Sequence, residues 1–252
     1  MSRIEELVLR TLAIVLTPVV AGLVLYVNFL WKDNEDSKPE FNGYVAPRQV
    51  EPFVNYAKSV TVTINCKGQF GSGFSFEIDP KFDFATWNFD VPEEDRSIIL
   101  TNHHVIEDCI DNSSSLEIIL AEGQKKQGNI AAIDEENDLA ALVIDKKLDW
   151  VVSTPYEMRS GYWVIAVGSP FAMEGTVTFG NIIQMEDSRI YTSASLNKGN
   201  SGGPLLDNEG YVVGVNAGYR AVAQNLNWAI DISQICRKLA TCEFGELGKG
   251  PS

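Results

Sequence analysis

The sequence predicts an all-β domain, a sandwich or a barrel, set behind an apolar N-terminal helix. Three observations carry this expectation. Beyond residue 53 the apolar residues recur with period two in short runs. Glycine, asparagine or aspartate punctuates nearly every gap between those runs. Only Ser233 to Thr241 repeats at helical spacing. Many short strands so spaced are the signature of antiparallel sandwiches and barrels.

The elements follow in order. Within residues 1–31, the run from Thr11 to Leu30 carries no charge. That length crosses a bilayer as a helix and exceeds the apolar core of a cleaved signal peptide. No small-x-small cleavage site closes it, since Phe29, Leu30 and Trp31 stand there, and Tyr26 and Trp31 suit the headgroup interface. Arg3 and Arg10 precede the run and Lys32 follows it among acids, a bias that leaves the N-terminus inside. The remainder is then expected outside the cytoplasm, membrane-anchored on the periplasmic or cell surface; secretion after signal cleavage is the alternative.

Residues 32–53 hold three prolines and several charges without periodicity and read as a linker. Strands are expected at 59–66, 97–101, 116–120, 140–145, 162–167 and 211–215, while Phe82 to Arg96 reads as an extended hairpin loop. The terminal helix has Ser233 as its N-cap and Ile235, Cys236 and Leu239 on one face.

Over 252 residues, 20 basic side chains stand against 34 acidic ones, for a net charge of −14. Such a chain repels polyphosphates and anionic lipid, so nucleic acid is excluded as a partner, and the acidity serves solubility.

Chemistry concentrates at Gly199-Asn200-Ser201-Gly202-Gly203-Pro204. A serine among glycines sits on a tight turn that exposes its hydroxyl and admits a close backbone approach. The turn can also aim the N–H groups of Gly199 and Ser201, on either side of Asn200, at the oxyanion of a tetrahedral intermediate. A serine hydroxyl needs a base, and the only histidines are adjacent, His103 and His104, directly after the apolar strand SIILT. Neighbouring side chains there point in different directions, so only one can face Ser201. The base needs an orienting carboxylate. Asp138 enters an apolar strand, where burial of a lone carboxylate is costly unless a histidine N–H pairs with it. Asp134 reads as a turn residue.

No metal or other cofactor is expected. Cys66, Cys109, Cys236 and Cys242 contain no Cys-x-x-Cys pair, and the histidines are committed elsewhere. Gly68, Gly71 and Gly73 precede a strand rather than a helix, and Gly245 to Gly250 lacks the Lys-Ser/Thr ending of a phosphate loop. The four cysteines permit three full connectivities. Cys236 and Cys242 on one continuous helix would lie about 9 Å apart along the axis and on different faces, so a bridge there needs the helix to end first.

Six blocks, in order, carry a family resemblance: Gly71-Ser72-Gly73-Phe74, Thr101-Asn102-His103-His104-Val105, Asp138-Leu139-Ala140, Val167-Gly168-Ser169-Pro170-Phe171, Gly175-Thr176-Val177-Thr178 and Gly199 to Pro204. Together they resemble the chymotrypsin-like serine peptidases, most closely the HtrA/Deg branch. The resemblance implies two six-stranded antiparallel barrels, over 54–150 and 151–232, with a terminal helix and tail over 233–252. It selects His104 over His103 as base, matches Asp138 as its orienter and Ser201 as nucleophile, and places the triad between the barrels. It implies a primary pocket lined by Ser195, Leu196, Asn216, Ala217, Gly218 and Trp228. None of these is acidic, so small or medium apolar side chains are expected there, and Asn216 to Gly218 would pair with an extended substrate strand. It also points to a Cys66–Cys109 bridge, like the disulfide near the catalytic histidine of related proteases, which an outward-facing domain permits.

Two departures matter. Asn200 stands where digestive members carry an aspartate that pairs with a freshly cut N-terminus, so activation of that kind is not expected. Fewer than 20 residues follow the terminal helix, so control through a PDZ domain is not carried over. The implied activity is that of a serine endopeptidase acting on peptides or proteins. A silent scaffold of the same fold and an esterase are the alternatives.

Overall fold

The computed structural model describes residues 42–77, 82–83, 95–121, 123–154, 156–169, 175–219, 226–235, 239 and 241–242, with Pro18 and Gly22. The chain divides into one unit over Met1–Asn42 and a second over Gly43–Ser252. The expected membrane helix at 11–30 lies outside the described residues apart from Pro18 and Gly22, both helical. Among the described residues no helix is long and apolar enough to cross a membrane.

The second unit opens with a helix that the sequence reading placed partly in a linker: α1, Val50–Ser59. Its Pro52 falls in the first turn, where a missing N–H costs nothing, and Glu51 and Lys58 complement the dipole at its two ends. Phe53, Val54 and Ala57, at helical spacing, pack into the main core.

Strands β1 (Thr61–Cys66), β2 (Gln69–Phe76), β4 (Ser97–Thr101), β5 (Leu116–Ile119), β6 (Lys125–Gln127), β7 (Asn129–Asp134) and β8 (Leu139–Ile144) form one antiparallel sheet, ordered β6-β5-β1-β2-β4-β8-β7. The expected first six-stranded barrel is thus corrected to a seven-stranded half-barrel. Its two edge strands, β6 and β7, are consecutive in the chain, with only Gly128 between them. The sheet must therefore curl until its edges meet, yet the seam is closed by a chain bend and not by a ladder. Gly128 donates its N–H to Leu116 O at 2.9 Å. A side chain there would come within 3.1 Å of Leu116 and 3.2 Å of Ile118.

The second half follows the expectation. Strands β9 (Trp163–Gly168), β10 (Thr176–Glu186), β11 (Arg189–Thr192), β12 (Pro204–Leu206), β13 (Val212–Tyr219) and β14 (Asn227–Asp231) close into a barrel. The connecting stretch is stitched to both halves by parallel bridges, Phe76 to Val151 and Ser153 to Val212. In the β12–β13 turn Asp207 is buried, accepting from the N–H groups of Glu209 (2.9 Å) and Tyr211 (3.0 Å) and from Thr154 Oγ1 (3.2 Å).

Two cores result. One lies within the half-barrel and includes Ile64, Ile99, Val105, Ile106, Leu116 and Leu142. The other joins both halves through Phe74, Leu100, Ala141, Ile165, Val167, Val215 and Ile230. Strand β8 lies between them, which is why LAALVI is buried at every position instead of alternating.

The two ends of the expected terminal helix are corrected, while residues 236–238 and 240 lie outside the described residues. Asp231, not Ser233, caps the turn at Ile232–Gln234, accepting the Ser233 N–H at 2.8 Å. Ile235 is helical, and its O accepts from Leu239 N at 3.2 Å. Thr241–Cys242 is already extended, as β15, and pairs with β3, Phe82–Asp83, inside the segment read as a loop. Cys236 lies outside the described residues.

Candidate active site

The site is assembled from the polar ends of apolar strands. Strand β4 ends at Thr101, and the chain turns through extended Asn102 into a single helical turn, α2 (His103–Ile106). Val105 and Ile106 point into the core and fix that turn, leaving His104 toward the surface. Its Nδ1 lies 2.8 Å from Asp138 Oδ2, and its backbone N–H donates to Asp138 Oδ1 at 2.9 Å. One carboxylate thus holds the ring and the backbone of the same residue, which leaves Nε2 facing away from the pair. The His103 side chain makes no hydrogen bond or ion pair among the described residues.

Asp138 is presented by a turn in which Asp134 accepts from Asn137 N (3.1 Å) and Asn137 Nδ2 (2.6 Å), so Asp134 is the turn residue expected. Asp138 itself adopts φ +53°, a left-handed conformation tolerated by aspartate at modest cost. Asn102 secures it, donating Nδ2 to Asp138 O at 2.9 Å.

The nucleophile turn joins β12 from the other half. Gly199 and Gly202 have φ +102° and +85°, conformations that favour glycine. A side chain on Gly202 would sit 2.1 Å from Ser72 O and 2.2 Å from Thr101 Oγ1, so the turn is pressed directly against the half-barrel. Of the three positions expected to form the oxyanion hole, Asn200 is not available as a donor: its N–H goes to Asn197 O at 3.0 Å. The N–H groups of Gly199 and Ser201 donate to no other described residue. The Ser201 hydroxyl donates to Ala217 O at 3.1 Å.

The six residues expected around a primary pocket do not act alike. Leu196 is buried and donates its N–H to Asn227 Oδ1 at 3.1 Å, while Ser195 is exposed and accepts from Thr178 Oγ1 at 2.8 Å. Gly218 pairs with Trp228 across β13–β14, and a side chain on Gly218 would strike the indole at 2.3 Å. Ala217 is the bulge residue skipped by that ladder. Asn216, by contrast, is fully buried, with Nδ2 donating to Val167 O (3.1 Å) and Pro204 O (3.0 Å). Its side chain braces the barrel.

The expected Cys66–Cys109 disulfide is present, joining the end of β1 to the short helical turn that follows α2. Ser72, Thr101, Asn102, Ser169 and Asn227 were not singled out as site residues by the sequence. The available signal was a polar residue, fully or nearly buried, at the end of or inside an apolar strand.

The trypsin-like peptidase domain profile matches residues 71–215, which covers more than half of the chain. The chain belongs to the trypsin-like peptidase family. It is similar to a Synechocystis protein bearing the name serine protease HhoA, 34% identical over 187 residues, 62% of this chain and 46% of that one. It is also similar to a Chlamydia trachomatis protein named as a DegP-like periplasmic serine endoprotease, 38% identical over 130 residues, 47% of this chain and 25% of that one. The chain thus spans less than half the length of these relatives. Among solved structures, a serine endoprotease from Yersinia pestis has the same fold, with a TM-score of 0.63 at 24% identity, covering 77% of this chain and 66% of that one.

Proposed function

We propose that this trypsin-like peptidase is an active serine endopeptidase, with Ser201 as nucleophile, His104 as general base and Asp138 as orienter. The observation that carries the reading is the double hold of Asp138 on the His104 ring and backbone. It fixes the tautomer in which Nε2 is free to take a hydroxyl proton. Ser201 adds to the peptide carbonyl as its proton passes to His104. The oxyanion draws on the N–H groups of Gly199 and Ser201. His104 returns the proton to the leaving amine, and water then repeats the sequence to release the acyl group. The Ser201 hydroxyl must first leave Ala217 O, a rotation about one side-chain bond.

Leu196, Gly218 and Trp228 are uncharged, and the Arg189 guanidinium 5.8 Å from the Trp228 ring centre offers no counter-ion to a basic side chain, which favours small or medium apolar residues at the cleavage position. The uncharged run at 11–30 would anchor the protein, with the peptidase outside the cytoplasm, where a disulfide such as Cys66–Cys109 persists. The Chlamydia relative is named a periplasmic endoprotease, which points the same way.

The full chain treated with a fluorophosphonate should be labelled at Ser201, and Ser201→Ala should abolish both labelling and peptide cleavage. A folded wild type that neither labels nor cleaves would leave the silent scaffold as the better reading. Labelling with cleavage of esters alone would favour the esterase.

A further inference from the structure

Ser72 lies on β2, outside the triad, and all of its polar groups are spent on the site. It is fully buried. Its hydroxyl donates to Gly199 O at 2.6 Å and accepts from Ser169 N at 2.9 Å. Its backbone N–H donates to Ser201 O at 2.8 Å. Its carbonyl accepts from Thr101 Oγ1 at 2.7 Å, three residues before His104. The same carbonyl lies where a side chain on Gly202 would be.

These bonds grip the nucleophile turn on both sides of Asn200. A carbonyl oxygen fixed in space fixes the plane of its peptide. The plane after Gly199 is thus held by Ser72 Oγ, and the Gly199 N–H, in the plane before it, is joined to that anchor through a single Cα with φ +102°. A buried hydroxyl bonded to a backbone carbonyl has no solvent competitor, and it holds the oxygen side of a plane whose N–H side, that of Asn200, is held by Asn197 O at 3.0 Å. Behind it stands a second layer: Ser169 Oγ accepts from Thr63 Oγ1 at 2.6 Å. That bond touches no atom of the turn.

We propose that Ser72 is a positioning residue for the oxyanion donors, anchoring the Gly199 and Ser201 carbonyls so that the N–H groups of the same two residues keep the direction that receives the tetrahedral intermediate. This rests on the peptidase reading given above. Its signature is kinetic. An interaction made only in the transition state lowers kcat and leaves KM in place. Losing an oxyanion donor outright costs about 10²- to 10³-fold in kcat, and a donor that is misdirected part of the time should cost about 10- to 100-fold.

The test compares the full-length wild type with Ser72→Ala, Ser72→Cys and Thr63→Val. Ser72→Cys keeps the buried volume but donates weakly, which guards against a folding failure of Ser72→Ala. Thr63→Val removes a buried hydrogen bond of the same network without touching the turn. Both Ser72 variants should lose about 10- to 100-fold in kcat with KM within twofold. They should bind a peptide boronate, whose adduct places an oxygen in the hole, more weakly by a similar factor. Their affinity for the product peptide should not change. Thr63→Val should show a comparable fall in melting temperature and keep its kcat within about threefold. Equal kcat losses in Thr63→Val and the Ser72 variants, or a folded Ser72 variant with wild-type kcat, would overturn the proposal. A wild type inactive in the same assay would instead overturn the peptidase reading on which it stands.

Discussion

The hydroxyl of Ser201 donates to the carbonyl oxygen of Ala217 at 3.1 Å. Ala217 is the bulge residue of β13, skipped in the register with β14. An extended peptide laid along this strand would bring a backbone N–H to that same oxygen. Substrate and nucleophile therefore compete for one acceptor, and binding frees the hydroxyl to turn toward His104. Methylating the peptide nitrogen that pairs there should lower kcat/KM by about tenfold or more, beyond what one lost hydrogen bond in a binding strand accounts for. Equal turnover of methylated and unmethylated peptides would contradict the competition.

Asp138→Asn should separate orientation from shape. The carboxylate accepts from two N–H groups of His104, whereas a carboxamide has one oxygen to offer. Whichever way the amide turns, an NH₂ faces a donor, and the ring is pushed toward the wrong tautomer. A kcat loss of about 10⁴-fold with near-native folding is expected by circular dichroism and steady-state kinetics.

The strands were legible because their alternation is local. The runs at 97–101 and 140–145 reappear as β4 and β8 within a residue. The pairing of His104 with Asp138 was legible because both chemistry-bearing residues end or begin an apolar strand. What was not legible depends on chain folding at long range. The hydroxyl of Ser72 meets Gly199 across 127 positions, and no spacing rule encodes that. Helix α1 was hidden by Pro52, which breaks a helix interior but not a first turn. The half-barrel was hidden because periodicity gives strands their faces, not their edges; whether a sheet closes by a ladder or by a bend at Gly128 is decided by register.

Two glycines with nearly the same φ should behave very differently. Gly68 and Gly202 have φ +86° and +85°. Nothing lies within 4 Å of a side chain built on Gly68, whereas one on Gly202 meets Ser72 O at 2.1 Å. Gly68→Ala should cost about 1–2 kcal/mol, the conformational term alone. Gly202→Ala adds the clash and should exceed about 4 kcal/mol. Denaturant titrations of the two variants measure the difference.

Asp207 gives the fold a pH dependence of unusual sign for a carboxylate. Burial, with a smaller contribution from Glu209, raises it from 3.8 to about 6, against the lowering effect of its hydrogen bonds from Glu209 N, Tyr211 N and Thr154. The folded state thus holds this proton more tightly than the unfolded chain does. Its contribution to stability is full below about pH 4 and is lost as pH rises through about 6. Asp207→Asn retains the acceptor for the two backbone N–H groups and cannot ionise. Its advantage over wild type should be absent at pH 4 and reach on the order of 3 kcal/mol above pH 7. A melting-temperature difference that does not change with pH would refute this.

The Cys66–Cys109 bond, finally, closes a covalent ring that contains both Ser72 and His104. A single cut by any protease between residues 67 and 108 would open the ring without releasing a fragment. The nicked molecule would run as one band until a thiol is added, and its base and its turn-gripping strand would remain on one tethered particle. For a protein placed among peptidases of its own kind, a cut in that region is an injury that need not separate the machinery.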